Sequence, residues 1–104
     1  MATLTVLYTK PESDAEAFLA EYQSDHVPIA AKFPKMTSHT TTVFTGTPRG
    51  TEPPYYVMFV GTWASPEDMQ AAMSDPSIME ASKHAMGMTQ KYGNKAEMLV
   101  GREA

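Results

Sequence analysis

Apolar and polar side chains alternate over residues 3–10, Thr-Leu-Thr-Val-Leu-Tyr-Thr-Lys, and this two-residue period predicts a strand. Leu4, Val6 and Tyr8 share one face; Thr3, Thr5, Leu7 and Thr9 share the other. Pro11 ends it. The period then lengthens. Ala15, Phe18, Leu19, Tyr22, His26, Ile29 and Phe33 fall on one face of a helix. Ser13-Asp14-Ala15-Glu16 reads as a capping box that opens it. Pro28 has no N–H for the carbonyl of Ser24. The helix is therefore expected to stop or kink near Val27, with a kinked continuation to Phe33 and Pro34 as its end. Val27, just before proline, is expected outside helical dihedrals.

Residues 36–45 are rich in threonine and predict a second strand. His39, Thr41 and Val43 lie on one face, with Ser38, Thr40, Thr42 and Phe44 on the other. Gly46 to Pro54 holds two glycines and three prolines in nine residues and is expected to be a mobile loop. Residues 55–63, Tyr-Tyr-Val-Met-Phe-Val-Gly-Thr-Trp, are almost continuously apolar, so this third strand belongs inside the sheet. Gly61 marks a bulge or a close approach. Ser65-Pro66-Glu67-Asp68 starts a helix, and Asp75-Pro76 starts another that runs to about Lys91. Tyr92-Gly93-Asn94 is a turn, and residues 95–102 form the last strand. The order β-α-β-β-α-β predicts an α+β, ferredoxin-like fold: a four-stranded antiparallel sheet with helices on one face. The other face needs a cover, and pairing two copies through their sheets is the simplest one.

Composition narrows the class. A chain of 104 residues is expected to be a single domain over 1–104. The net charge of −4 disfavours nucleic acid and anionic membrane surfaces as partners. There is no cysteine, hence no disulfide and no thiolate metal site. The first residues lack the features of a signal peptide, and no apolar run is long enough to span a membrane, so a soluble, cytoplasmic protein is expected. Nine methionines suit either an adaptable apolar pocket or core filling.

The candidate chemistry centres on His26. Tyr22 and His26 lie one turn apart on the face that should be buried, and a buried imidazole needs a partner. His26 could act as general base, with Tyr22 hydrogen-bonding a developing enolate. Alternatively, His26 bonds a carbonyl freed by Pro28 and only seals the helix end. Asp25 points about 100° away and should face solvent. His39 could join a pocket or serve the sheet or an interface; His84 could face the pocket or water. Tyr8, Tyr55, Tyr56, Phe59 and Trp63 could contact a flat substrate, although aromatic residues at strand spacing also build cores. The three histidines show no metal-ligand spacing, so no metal site is expected.

Three stretches carry a family resemblance: Leu4-Thr5-Val6-Leu7-Tyr8 before Pro11; Phe18-x-x-x-Tyr22-x-x-x-His26-Val27-Pro28-Ile29-Ala30 with Phe33-Pro34 behind it; and Pro54-Tyr55-Tyr56, with Met98-Leu99-Val100-Gly101 at the end. On these the chain resembles the EthD family of dimeric α+β barrel proteins over nearly its whole length. The last helix departs from the pattern: it is methionine-rich and carries His84 where a more acidic or amide character is expected. The resemblance implies a homodimer and a pocket between helices and sheet that takes a small apolar, aromatic or polyketide-like molecule. It also implies a cofactor-free oxidoreductase of the monooxygenase kind. A polyketide cyclase or decarboxylase is the alternative, as is a non-catalytic small-molecule-binding protein.

Overall fold

The computed structural model describes all 104 residues. Strands β1 (Ala2–Tyr8), β2 (Met36–Val43), β3 (Val57–Trp63) and β4 (Ala96–Arg102) make one sheet in the order β2-β3-β1-β4. Every neighbouring pair is antiparallel. Helices α1 (Ala15–Glu21), α2 (Val27–Ala30), α3 (Pro66–Met73) and α4 (Pro76–Tyr92) cover one face, which gives the expected α+β, ferredoxin-like arrangement. No helix is long and apolar enough to cross a membrane.

The register sets the rows on the covered face. Tyr8 stands opposite Val57 and Ala96, Val6 opposite Phe59 and Met98, and Leu4 opposite Gly61 and Val100. Leu4, Tyr8, Val57, Phe59 and Trp63 are buried beneath the helices. Trp63 donates its indole N–H to the carbonyl of Pro34 at 2.8 Å, which ties the end of the helical segment to β3. Gly61 is a close-approach site: a Cβ there would lie 2.9 Å from Met36 Sδ and 3.3 Å from the rings of Phe59 and Trp63. The bulge itself lies opposite, in β2, between Met36 and Ser38.

The first helix departs most from expectation. It neither stops nor breaks at Pro28. Five residues, Tyr22–His26, form a π-helical turn between α1 and α2, and the Val27 N–H reaches back five residues to the carbonyl of Tyr22. Val27 keeps helical dihedrals (φ −57°, ψ −42°), contrary to the restriction expected before proline. The wide turn changes which carbonyl faces which N–H, so the helix passes the missing donor of Pro28 without a break. It also has a geometric effect. Residues four apart drift by about 40° per step around a regular α-helix. Phe18, Tyr22, His26 and Ala30 are spaced by fours, and all four are buried. One extra residue in the turn cancels the accumulated drift and keeps them on one line.

Caps follow local chemistry, with one shift. The first helix is capped by Asp14, which accepts from Ala17 N at 3.0 Å, rather than by Ser13. The Ser13 hydroxyl donates instead to the carbonyl of Tyr92 at 3.4 Å. Ser65 and Asp75 cap α3 and α4 as expected. Gly93, at φ 70°, ends α4 in the left-handed conformation that glycine adopts without strain. The stretch after β2 is closed by a turn in which Gly50 N–H bonds the carbonyl of Thr47 at 2.9 Å.

Candidate active site

A cavity of about 290 Å³ lies between the helices and the sheet. Its floor is Leu4, Val6 and Tyr8 of β1, Phe59 of β3, and Ala96 and Met98 of β4. Its roof is His26, Ala30 and Phe33 from the first helical segment and Ile78, Ala81, Ser82, Ala85, Met86 and Thr89 from α4. No Lys, Arg, Asp or Glu lines it. Met86 and Met98 are 61% and 54% exposed and form the rim where β4 and α4 part. The methionines thus serve both expected roles, since Met69 and Met88 are buried in the core.

His26 is the one nitrogen base on this wall. It is 6% exposed, and neither ring nitrogen seals a backbone carbonyl. Nε2 lies 3.4 Å from the Tyr8 hydroxyl, and Nδ1 lies 3.0 Å from Nδ1 of His84. The two imidazoles stack with centroids 5.2 Å apart at 22°. Burial, reinforced by the neighbouring His84, pushes the His26 pKa down to about 4, so the ring is neutral at pH 7. Burial beside Tyr22 raises the pKa of the Tyr8 hydroxyl, which stays protonated.

Tyr22 has a different place from the one its spacing predicts. It is fully buried and does not line the cavity. Its ring stacks on His26 at 5.3 Å and 30° and meets Tyr8 edge-on at 5.3 Å. Its hydroxyl makes no hydrogen bond. Burial pushes its pKa up to about 12; the Thr41 hydroxyl lies near enough to pull back part of that shift without meeting it in hydrogen-bond geometry. The phenol that reaches His26 comes instead from Tyr8 on β1.

The remaining predicted residues divide. Phe59 lines the cavity. His84 stands behind His26, half-buried and outside the lining. His39 is exposed on the covered side of edge strand β2, stacked over Phe59 at 5.8 Å. Trp63 is fully buried in the core. Tyr55 lies outside the cavity and donates to Glu97 at 3.0 Å. Two acids matter here: Asp25, which was expected to face solvent, and Glu21, which the sequence reading did not single out. Glu21, Asp25 and His84 bring ligand-type atoms within 4.8 Å of one another. Glu21 is also held by Lys91 Nζ at 2.9 Å and the Tyr92 hydroxyl at 3.0 Å, and these bonds, with Lys91 foremost, keep its carboxyl below the usual range. The spacing of Glu21 and Asp25, one turn apart, was the available signal for this pairing.

An antiparallel sheet with helices on one face, and an apolar cavity between the layers with a Tyr–His pair in its wall, defines the class. The chain belongs to the EthD family: the EthD domain matches residues 10–91. It is similar to an EthD family protein from Bacillus halodurans, with 30% identity over 100% of this chain and 99% of that one and a TM-score of 0.87. A dimeric ferredoxin-like protein from Thermobifida fusca shares the fold at 10% identity, with coverage of 98% and 90% and a TM-score of 0.69. So does a cofactor-independent oxygenase from Streptomyces nogalater, at 11% identity, with coverage of 99% and 92% and a TM-score of 0.65. Comparison with curated protein sequences gave no match.

Proposed function

We propose that this chain is a cofactor-independent oxidoreductase of the monooxygenase kind, acting as a homodimer on a small aromatic or polyketide-like molecule, with His26 as general base. The observation that carries this reading is the position of His26: a neutral imidazole, the one nitrogen base in a largely apolar cavity wall that holds no charged side chain. Such a group can take a proton from a phenol or an activated C–H. The substrate anion that remains is electron-rich. Dioxygen is the oxidant and the anion the reductant, so no further redox group is required. Membership of the EthD family and the shared fold of the Streptomyces nogalater oxygenase support the reaction class.

The lining supports the substrate class. With no charged side chain, the cavity favours a neutral, apolar body; a carboxylate or phosphate would find no cation to pair with. At about 290 Å³ the space lies at the small end of ligand pockets. Tyr8 takes the role first assigned to Tyr22, since its hydroxyl can donate to an oxyanion formed beside His26.

A non-catalytic binding protein is the second reading. It is favoured by the Tyr8 hydroxyl and His84, which between them engage both nitrogens of His26. Replacing His26 by Ala, with ligand affinity and oxygen consumption measured separately, distinguishes the two. An enzyme loses turnover by about two orders of magnitude or more while it still binds. Turnover that survives the substitution rules out the base assignment.

A further inference from the structure

We propose that His84 is a positioning residue for His26, and that the two imidazoles form a relay carrying a proton from the cavity to the surface beside Glu21 and Asp25. The relay rests on the reading of His26 as the base, and it addresses what that reading leaves open: where the proton goes.

The geometry supplies the path. His84 does not line the cavity, so it can act only through His26. Two ring nitrogens 3.0 Å apart can bond only if one carries hydrogen and the other is bare. The relay takes the tautomer in which Tyr8 is the donor. Its hydroxyl, 3.4 Å from Nε2 of His26, donates to a bare Nε2 and leaves Nδ1–H of His26 to donate to Nδ1 of His84. His84 then carries its hydrogen on Nε2, the nitrogen that does not bond His26. A ring nitrogen of His84 lies within 4.8 Å of a carboxylate oxygen of both Glu21 and Asp25.

The transfer balances. A substrate O–H or C–H takes the place of the Tyr8 hydroxyl at Nε2 of His26, gives its proton to that nitrogen and keeps the bonding electron pair, and the freed Tyr8 hydroxyl turns to the new anion. The Nδ1 proton of His26 passes to Nδ1 of His84, and the Nε2 proton of His84 passes to a carboxylate or to water. One proton has moved from cavity to surface, and no charge remains on the buried ring. That matters because burial opposes an imidazolium at His26. The outer ring is half-buried, with carboxylate oxygens of two acids within 4.8 Å of it to take the proton onward. The other charged groups here are Lys91, paired with Glu21, and Glu80, one turn before His84 and paired with Lys32 at 3.8 Å. Exposed Lys83 precedes His84 on α4. Tyr8 and Tyr22 remain neutral.

Two measurements test the relay. In 15N-labelled protein, long-range ring-nitrogen spectra should give a coupling between the two Nδ1 atoms and a bare Nε2 on His26; two independent rings without coupling overturn the proposal. The second uses 2-naphthol, an aromatic phenol that sheds its proton when excited. Bound to the native protein it should emit as naphtholate. His26→Gln should abolish that emission. His84→Gln, which keeps a hydrogen-bonding side chain but cannot relay, should lower it several-fold at unchanged affinity. Equal emission from the native protein and His84→Gln overturns the relay and leaves His26 as base. Emission unaffected by His26→Gln overturns the base assignment as well.

Discussion

His26 is held neutral by its surroundings, and that gives the protein an acid liability. Its pKa falls from 6.5 in the unfolded chain to about 4 in the folded one. Between those values the unfolded state binds the extra proton, so folding stability is intact above about pH 6.5 and declines as pH falls toward 4. The loss should reach about 3 kcal/mol at most. Thermal melts at pH 7, 5.5 and 4.5 should show the decline, and His26→Leu should flatten it. Tyr22 poses the converse case. Its hydroxyl is buried without a partner. Tyr22→Phe should therefore leave stability unchanged or raise it by about 1 kcal/mol, and should leave turnover intact. A large drop in turnover would return the enolate-binding role to Tyr22. The buried position of His26 was legible from spacing alone. Its partners were not: His84 lies 58 residues away and Tyr8 lies 18 away, and only packing of separate elements brings them together.

The π-helical turn is the element-scale device that aims His26. Sequence periodicity placed the disturbance correctly, at Tyr22 to Pro28, and read it as a stop or a kink; the helix does continue, but through a widened turn. Proline removes a hydrogen bond, and the chain meets the loss by widening one turn rather than by stopping. The four-residue spacing of Phe18, Tyr22, His26 and Ala30 was the clue, because a regular α-helix cannot bury all four in one line. Deleting Ser24, an exposed residue of that turn, should restore α-helical pitch and rotate His26 against its neighbours. The expected result is a helical protein, by circular dichroism, that has lost the contact between the two imidazoles and binds apolar ligands weakly. The strands were legible to within two residues because alternation and β-branched content agreed there. The first cap moved by one residue because Ser13 found a carbonyl on α4, which no local pattern announces.

At the scale of the molecule, the sheet is covered on one side only. Leu7, Met58 and Val60 remain half-exposed on the other, and Leu99 is 53% exposed. Such a face calls for a partner, and the proposed pairing of two copies by two-fold symmetry would supply one. Sedimentation at micromolar concentration should give twice the chain mass of 11.4 kDa. Val60→Lys, a charge in the middle of that face, should give a folded monomer. A native protein that sediments as a monomer contradicts the pairing. The topology was legible from element order, because few arrangements satisfy β-α-β-β-α-β. The cavity was not: it is the space left over once α4 and the first helical segment settle on the sheet, and no stretch of sequence records a gap.

The rim of that cavity has a consequence for the protein's working life. Met86 and Met98 stand at the opening with exposed thioethers. Sulfoxidation would turn each into a polar, chiral group at the opening through which the proposed apolar substrate would enter. A catalyst that admits dioxygen through this opening would wear at its own doorway, and reductive repair of methionine sulfoxide would restore it. Brief peroxide treatment should modify Met86 and Met98 ahead of the buried Met69 and Met88, by peptide mass, with ligand affinity falling in step.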